Sequence, residues 1–362
     1  MIQDGLKLTA YLGERDRVGR RLAADQLIGV YERHGVRTSV LLRGIEGFGI
    51  RHRLQTERLL TLSEDLPMLA AAVDSHERVE ALVDDVRGVS RHGVITLERA
   101  LLLTGSDCQV ELAPGPDEIK LTIYLARQDR VDDRPAHLAA VELLHRHGVA
   151  GASVLLGVDG IADGVRRRGR FIARNAQVPL MIVSVGDRES IARALPGLAA
   201  TLREPVMTLE RIRVCRRDGQ KLADLAEPPA ADRGAELAYW QKLMVFASEQ
   251  TVHDGQPLYS ALVRRLRREG AAGATALRGE WGYHGDHRPH GERFWSLGRH
   301  VPVLVVVLDT PANMRRWFEI VQEMTGETGL VTSELVPALR AAGPEIEHGG
   351  LKLADPRIQP LR

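Results

Sequence analysis

The chain contains the same segment three times, and this self-similarity restricts its folds more than any other feature. Lys7-Leu8-Thr9-Ala10-Tyr11, Lys120-Leu121-Thr122-Ile123-Tyr124 and Lys242-Leu243-Met244-Val245-Phe246 open three blocks of similar length. The first two align without a gap from Lys7/Lys120 to Arg53/Arg166, and the third joins that register at Lys242. Glycines match at Gly35/Gly148/Gly270, Gly44/Gly157/Gly279 and Gly47/Gly160/Gly282. An arginine matches at Arg53/Arg166/Arg288 and a proline at Pro67/Pro179/Pro302. Each block ends on Thr-x-Glu: Thr96/Glu98, Thr208/Glu210 and Thr332/Glu334. A fixed order of matches at this period marks repeated structural units.

Within the first copy the periodicity changes in a definite order. Leu6 to Leu12 alternates apolar and polar residues, as a half-buried strand does. Arg20 to His34 carries apolar residues at helical spacing, and Gly35 stands where a helix ends. Val36 to Leu42 predicts a second strand, Gly44 to Asp65 a long loop, and Leu66 to Val73 a third strand. His76 to Val86 puts Val79, Leu82, Val83 and Val86 on one helical face, and Val94 to Leu103 is the last strand. The order β-α-β-β-α-β is that of a ferredoxin-like sandwich, so the fold class is α+β. In the third copy Val301 to Leu308 is apolar throughout, which predicts a strand covered on both faces. Helices cover one face, and another copy is the simplest cover for the other. The expectation is three tandem sandwiches arranged as an intramolecular pseudo-trimer. Its copies span residues 1–104, 117–216 and 237–339, joined by linkers 105–116 and 217–236 and followed by a loosely ordered tail, 340–362.

Composition adds exclusions. A net charge of +1 leaves no global footprint for nucleic acid or an anionic membrane. Cys108 and Cys215 form no Cys-x-x-Cys pair, which suits a reducing cytoplasm. No N-terminal segment reads as a signal peptide, and the longest apolar run falls short of a bilayer span, so a cytoplasmic, non-membrane-embedded protein is expected.

Arg43-Gly44-Ile45-Glu46-Gly47-Phe48-Gly49, Leu62-Ser63-Glu64-Asp65-Leu66-Pro67 and Val73-Asp74-Ser75 resemble the small PII-like proteins grouped as domain-of-unknown-function 190. The third copy resembles the same family at Gly255 to Tyr259, Gly270 to Gly279 and Val303 to Leu308, whereas the second keeps the frame but has lost much of the loop motif. The resemblance implies trimers of ferredoxin-like units with nucleotide-binding clefts between them. It also implies a T-loop after the second strand that docks on a partner, such as a fluoride-exporting membrane transporter or a metabolic enzyme. Three copies in one chain make the three clefts unequal.

Several residues are candidates for a ligand site. Gly44, Gly47 and Gly49, with Gly157, Gly160, Gly279 and Gly282, suit either a backbone nest for phosphate or a tight strand exit. Glu46 and Phe48 enter with this motif. Arg53, Arg166 and Arg288 suit bidentate phosphate contact or a solvated loop, and Arg43 and Arg278 precede the glycines where the second copy has Leu156. Each Thr-x-Glu pair shares one strand face, for an inter-copy hydrogen bond or for the wall of a cleft. His284, His287 and His290 lie in one loop and could hold a borderline metal, though in no standard spacing. The run Arg166 to Arg170 suits a solvated loop or an acidic partner better than nucleic acid, since no aromatic is interleaved. No nucleophile–base constellation occurs. The expected function is a non-enzymatic regulatory protein that senses a small anionic ligand, an adenine nucleotide for preference, and acts on a partner through its loops. The alternatives are a ligand-independent scaffold and a metal-dependent hydrolase at the third-copy histidines.

Overall fold

The computed structural model describes residues 1–50, 52–56, 65–90, 93–105, 110, 112, 118–169, 177–227, 239–284, 289–291, 301–326 and 329–342. Unit 1 comprises β1 (Ile2–Gly13), α1 (Ala23–Arg33), β2 (Thr38–Arg43), β3 (Glu46–Phe48), β4 (Pro67–Ser75), α2 (His76–Val89) and β5 (Gly93–Thr104). Unit 2 comprises β6 (Glu118–Ala126), α3 (Ala136–Arg146), β7 (Gly151–Ala162), β8 (Pro179–Gly186), α4 (Arg188–Thr201) and β9 (Val206–Arg217). Unit 3 comprises β10 (Tyr239–Ser248), α5 (Leu258–Glu269), β11 (Gly273–Arg278), β12 (Trp281–His284), β13 (Pro302–Asp309), α6 (Pro311–Thr325) and β14 (Leu330–Ala342). The protein is thus a mixed α/β chain of three repeated units with mainly antiparallel sheets.

Every described pairing among these strands is antiparallel. In unit 1, β1 lies between β4 and β5, and β2 pairs on the far side of β4. Unit 3 repeats this with β10, β13, β14 and β11. Helices cover one face of each sheet. Leu27, Ile28 and Tyr31 of α1 pack with Val79, Leu82 and Val86 of α2 over Leu8 and Ala72. Units 2 and 3 have matching cores. The other faces of all three sheets meet in one shared core that includes Leu69, Val183 and Val306. This answers the apolar run of the third copy: all of β13 is buried. Each such side chain contributes about 1.5–3 kcal/mol relative to exposure, so the shared core is a large part of the assembly's stability.

The units are joined by two cyclic sets of strand pairings. In the first, the outer half of each last strand extends onto the next unit. Leu101–Thr104 pairs with Val206–Leu209, Arg213–Arg217 with Leu330–Ser333, and Ala338–Ala342 with Gly93–Thr96. In the second, the segment after each second strand pairs with the neighbour's second strand: β3 with β11, β12 with β7, and β7 with β2. Three sequence expectations change here. The long loops begin with a paired segment, and in unit 2 Gly157 and Gly160 lie inside a continuous strand. The tail expected from residue 340 is still β14 as far as Ala342; the residues beyond lie outside those described. The 217–236 linker also starts as structure: Arg217 pairs with Gln220 in a hairpin, and Gln241 Nε2 donates to the Ala226 carbonyl.

Candidate functional site

The repeated Lys and Glu meet at the centre of the molecule. Lys7 and Glu98 are register partners on β1 and β5, and the other units repeat this at Lys120/Glu210 and Lys242/Glu334. Each side chain points into the shared core, where the six charges form a closed alternating ring. Lys7 Nζ lies 2.8 Å from Glu98 Oε2 and 2.6 Å from Glu210 Oε2. Lys120 bridges Glu210 at 2.9 Å and Glu334 at 2.7 Å. Lys242 closes the ring to Glu98 at 2.7 Å and Glu334 at 3.0 Å. The Lys120 side chain is 2% exposed, so these charges are removed from water almost completely.

The ring's electrostatics follow from that burial. Desolvation pushes the Glu98 carboxyl up, but the ammoniums of Lys242, Lys7 and Lys120 outweigh it and hold Glu98 well below the usual range. Glu334 is lowered for the same reasons. Burial opposes charge on Lys7 and Lys120, yet their carboxylate partners raise both. Lys242 is the exception: burial and its like-charged neighbours leave it lowered. The three carboxylates each place an oxygen within 4.8 Å of the others, a spacing that suits a cation. The ammoniums already fill that role. Glu98, Glu210 and Glu334 lie in this ring; the Thr96 and Thr208 hydroxyls donate to Glu98 and Glu210, whereas the Thr332 hydroxyl is buried with no hydrogen-bond partner among the described residues.

The matched glycines lie at the seams. A Cβ on Gly47 would sit 2.6 Å from the Ala274 carbonyl oxygen of unit 3 and 2.9 Å from the Pro67 ring. Gly44, Gly157, Gly160, Gly279 and Gly282 are confined in the same way by the matched proline or a neighbouring backbone. Close approach of two strands explains them, and the phosphate-nest expectation does not describe Gly44 and Gly47, which are buried. The next residue in each copy plugs the neighbour's helix–sheet core: Phe48 enters that of unit 3, Ile161 that of unit 1 and Tyr283 that of unit 2. Sequence reading missed this plug, although its signal, an apolar residue after the second matched glycine, was visible.

The candidate arginines divide. Arg43 pairs with Glu14 at 3.0 Å, and Arg278 pairs with Glu249 at 2.5 Å. Unit 2 has Leu156 for the arginine and Arg127 for the glutamate, and Arg127 instead reaches Glu280 of unit 3 at 3.0 Å. Arg166 bridges Asp159 at 2.6 Å and Asp25 of unit 1 at 2.5 Å, and Arg168 reaches Asp25 at 3.2 Å. The basic run thus clamps unit 2 to α1. Glu46 is buried and accepts from Arg264 of unit 3 at 2.9 Å. Arg53 alone of these is exposed with no ion pair among the described residues. Arg288 and His287 lie outside the described residues. His284 ends β12 opposite Gly151, and His290 sits opposite Gly282.

Arg53 stands at a cleft of about 130 Å³ between units 1 and 3. Phe48, Ile50, Val94 and Leu308 supply apolar walls, and Gly49, Gln55 and Thr275 supply polar edges. Asp16 and Asp65 also line it, but their carboxylates accept from the Gly13 and Arg15 amides and from Gln55. Arg53 is therefore the cationic group left available. Of the residues singled out from sequence, the structure brings Phe48, Gly49 and Arg53 together here.

Among solved structures, an aspartate kinase from Synechocystis aligns at 11% identity over 93% of this chain and 52% of its own, with a TM-score of 0.26. An anthrone oxidase-like protein aligns at 13% identity over 57% of this chain and 90% of its own, with a TM-score of 0.17. Neither likeness is close enough to carry an argument. A UPF0166 protein of Aquifex aeolicus (strain VF5) is 31% identical over 98 residues, 27% of this chain and 90% of that protein. The family model of DUF190, described as an uncharacterized ACR, matches residues 5–102, 118–214 and 240–338. The chain therefore belongs to the DUF190 family and carries its domain three times in succession.

Proposed function

We propose that this protein is a non-enzymatic regulatory protein of PII-like type, an intramolecular pseudo-trimer of ferredoxin-like units that binds a small anionic ligand, a nucleotide for preference, between units 1 and 3. The strand order within units and the cyclic pairings between them support the pseudo-trimer. One observation carries the ligand reading: the cleft joins apolar walls to a guanidinium, that of Arg53, with no ion pair among the described residues. Such a pair suits a base and its phosphate. The resemblance supplies the further reading that the loops then act on a protein partner, a membrane transporter or a metabolic enzyme.

Calorimetry with ATP, ADP, AMP and cyclic nucleotides tests the reading. A charge-assisted hydrogen bond is worth about 1.5–3 kcal/mol. Arg53→Ala should thus weaken binding at least about tenfold. No heat from any of these ligands at millimolar concentration would overturn it. The scaffold reading has one observation in its favour: Arg43, Arg166, Arg278 and Glu46 are all engaged within the chain. A partner interaction that survives Arg53→Ala without nucleotide would favour it.

A further inference from the structure

A second cavity, of about 40 Å³, lies beside the charge ring where the three first strands meet. Lys7, Lys120 and Lys242 line it, together with Thr9, Thr122 and Tyr11, whereas none of the three ring glutamates does. The cavity exceeds the ~10–15 Å³ that one water needs.

Its polar lining is dominated by donors, and one of them, the Lys242 ammonium, has an N–H to spare. An ammonium carries three N–H groups. Lys242 has only two carboxylate contacts, to Glu98 and Glu334, and its side chain is 5% exposed. The Thr122 hydroxyl is buried in the same lining. A buried donor left unmatched costs about 1–3 kcal/mol, so Lys242 calls for an acceptor inside the cavity. The Tyr11 hydroxyl is held protonated, since burial and then Glu98 raise it well above the usual value. It therefore stays a donor.

We propose that this cavity binds one small inorganic anion of about chloride's size, held by the Lys242 ammonium and the hydroxyls of Thr122 and Tyr11. The site is separate from the cleft at Arg53 and independent of any nucleotide. The Tyr124 hydroxyl, buried with no hydrogen-bond partner among the described residues, and apolar residues complete the lining, and about 40 Å³ leaves little room for a larger oxyanion with its hydration shell. Lys242 gains the acceptor that the ring does not give it, and the anion ties together residues of all three units.

Crystals grown in bromide test the assignment. Anomalous density within hydrogen-bonding distance of Lys242 Nζ and Thr122 Oγ1 is the expected result; an axial cavity holding water alone overturns the proposal. In solution, chloride should raise the melting temperature over gluconate at equal ionic strength, and Thr122→Val should abolish that difference while leaving the charge ring intact. An equal chloride response in Thr122→Val and the parent protein overturns it. Should Thr122→Val fail to fold, the bromide crystals of the parent protein still decide.

Discussion

The centre of the molecule and the cleft at Arg53 handle charge in opposite ways. At the centre, every lysine is matched by a glutamate from its own unit or the next, and six buried charges cancel around a closed ring. At the cleft, the acids are bound to backbone amides and Gln55, and a single guanidinium remains. The difference teaches that charge repeated in all three copies with a repeated partner serves assembly. Charge whose repeat has lost equivalence is where a ligand can act: the matched Arg166 is clamped to Asp159 and Asp25, whereas Arg53 is not.

The largest test of this contrast is Lys120→Ala. Removing one member of a buried ion pair leaves its partners uncompensated and should cost about 3–5 kcal/mol, read as a lower urea midpoint. Arg53→Ala should change stability by no more than about 0.5 kcal/mol. Equal losses in the two variants would erase the distinction.

The pH dependence sharpens it. Glu98 and Glu334 are lowered, so their contribution is present above the unfolded value of ~4.3 and is lost as pH falls through their lower folded values. Lys7 and Lys120 are raised, so theirs is complete below ~10.4 and is lost as pH rises through their higher folded values. Lys242 is lowered and works the other way, softening the alkaline limb. Urea midpoints should therefore hold a plateau between these limits, with a steeper acid edge that Glu98→Gln shifts.

Next in size is Gly47→Val. Its side chain meets the Ala274 carbonyl and Pro67, which should cost about 1–3 kcal/mol by overpacking the seam. Gly49→Ala meets open space and should be near neutral in the same assay. A smaller effect than that of Gly47→Val belongs to Arg43→Leu, which copies the residue that unit 2 already has. An exposed pair is worth about 0.2–1 kcal/mol.

Sequence made the repeat, the order of elements and the buried third strand of unit 3 legible, because periodicity and Gly–Pro punctuation are local. It also put Thr-x-Glu on one strand face. It did not reveal that Lys7, Lys120 and Lys242 were the partners, since a lysine inside an alternating strand reads as its solvent side. That reading fails because the back of each sheet faces two others. The glycines were misread for a related reason: what confines Gly47 is the backbone of a residue 227 positions away, at Ala274. Arg53 could be separated from Arg166 only once Asp25 and Asp159 were seen beside the latter.

The closing contribution of β14 has a consequence for biosynthesis. Translation delivers unit 1 first, with the edge at Gly93–Thr96 lacking its neighbour and Lys120 soon lacking one of its counter-ions. Both wait for the stretch from Glu334 to Ala342 to leave the ribosome. A nascent chain halted before Glu334 would hold two ammoniums, Lys120 and Lys242, each short of a carboxylate.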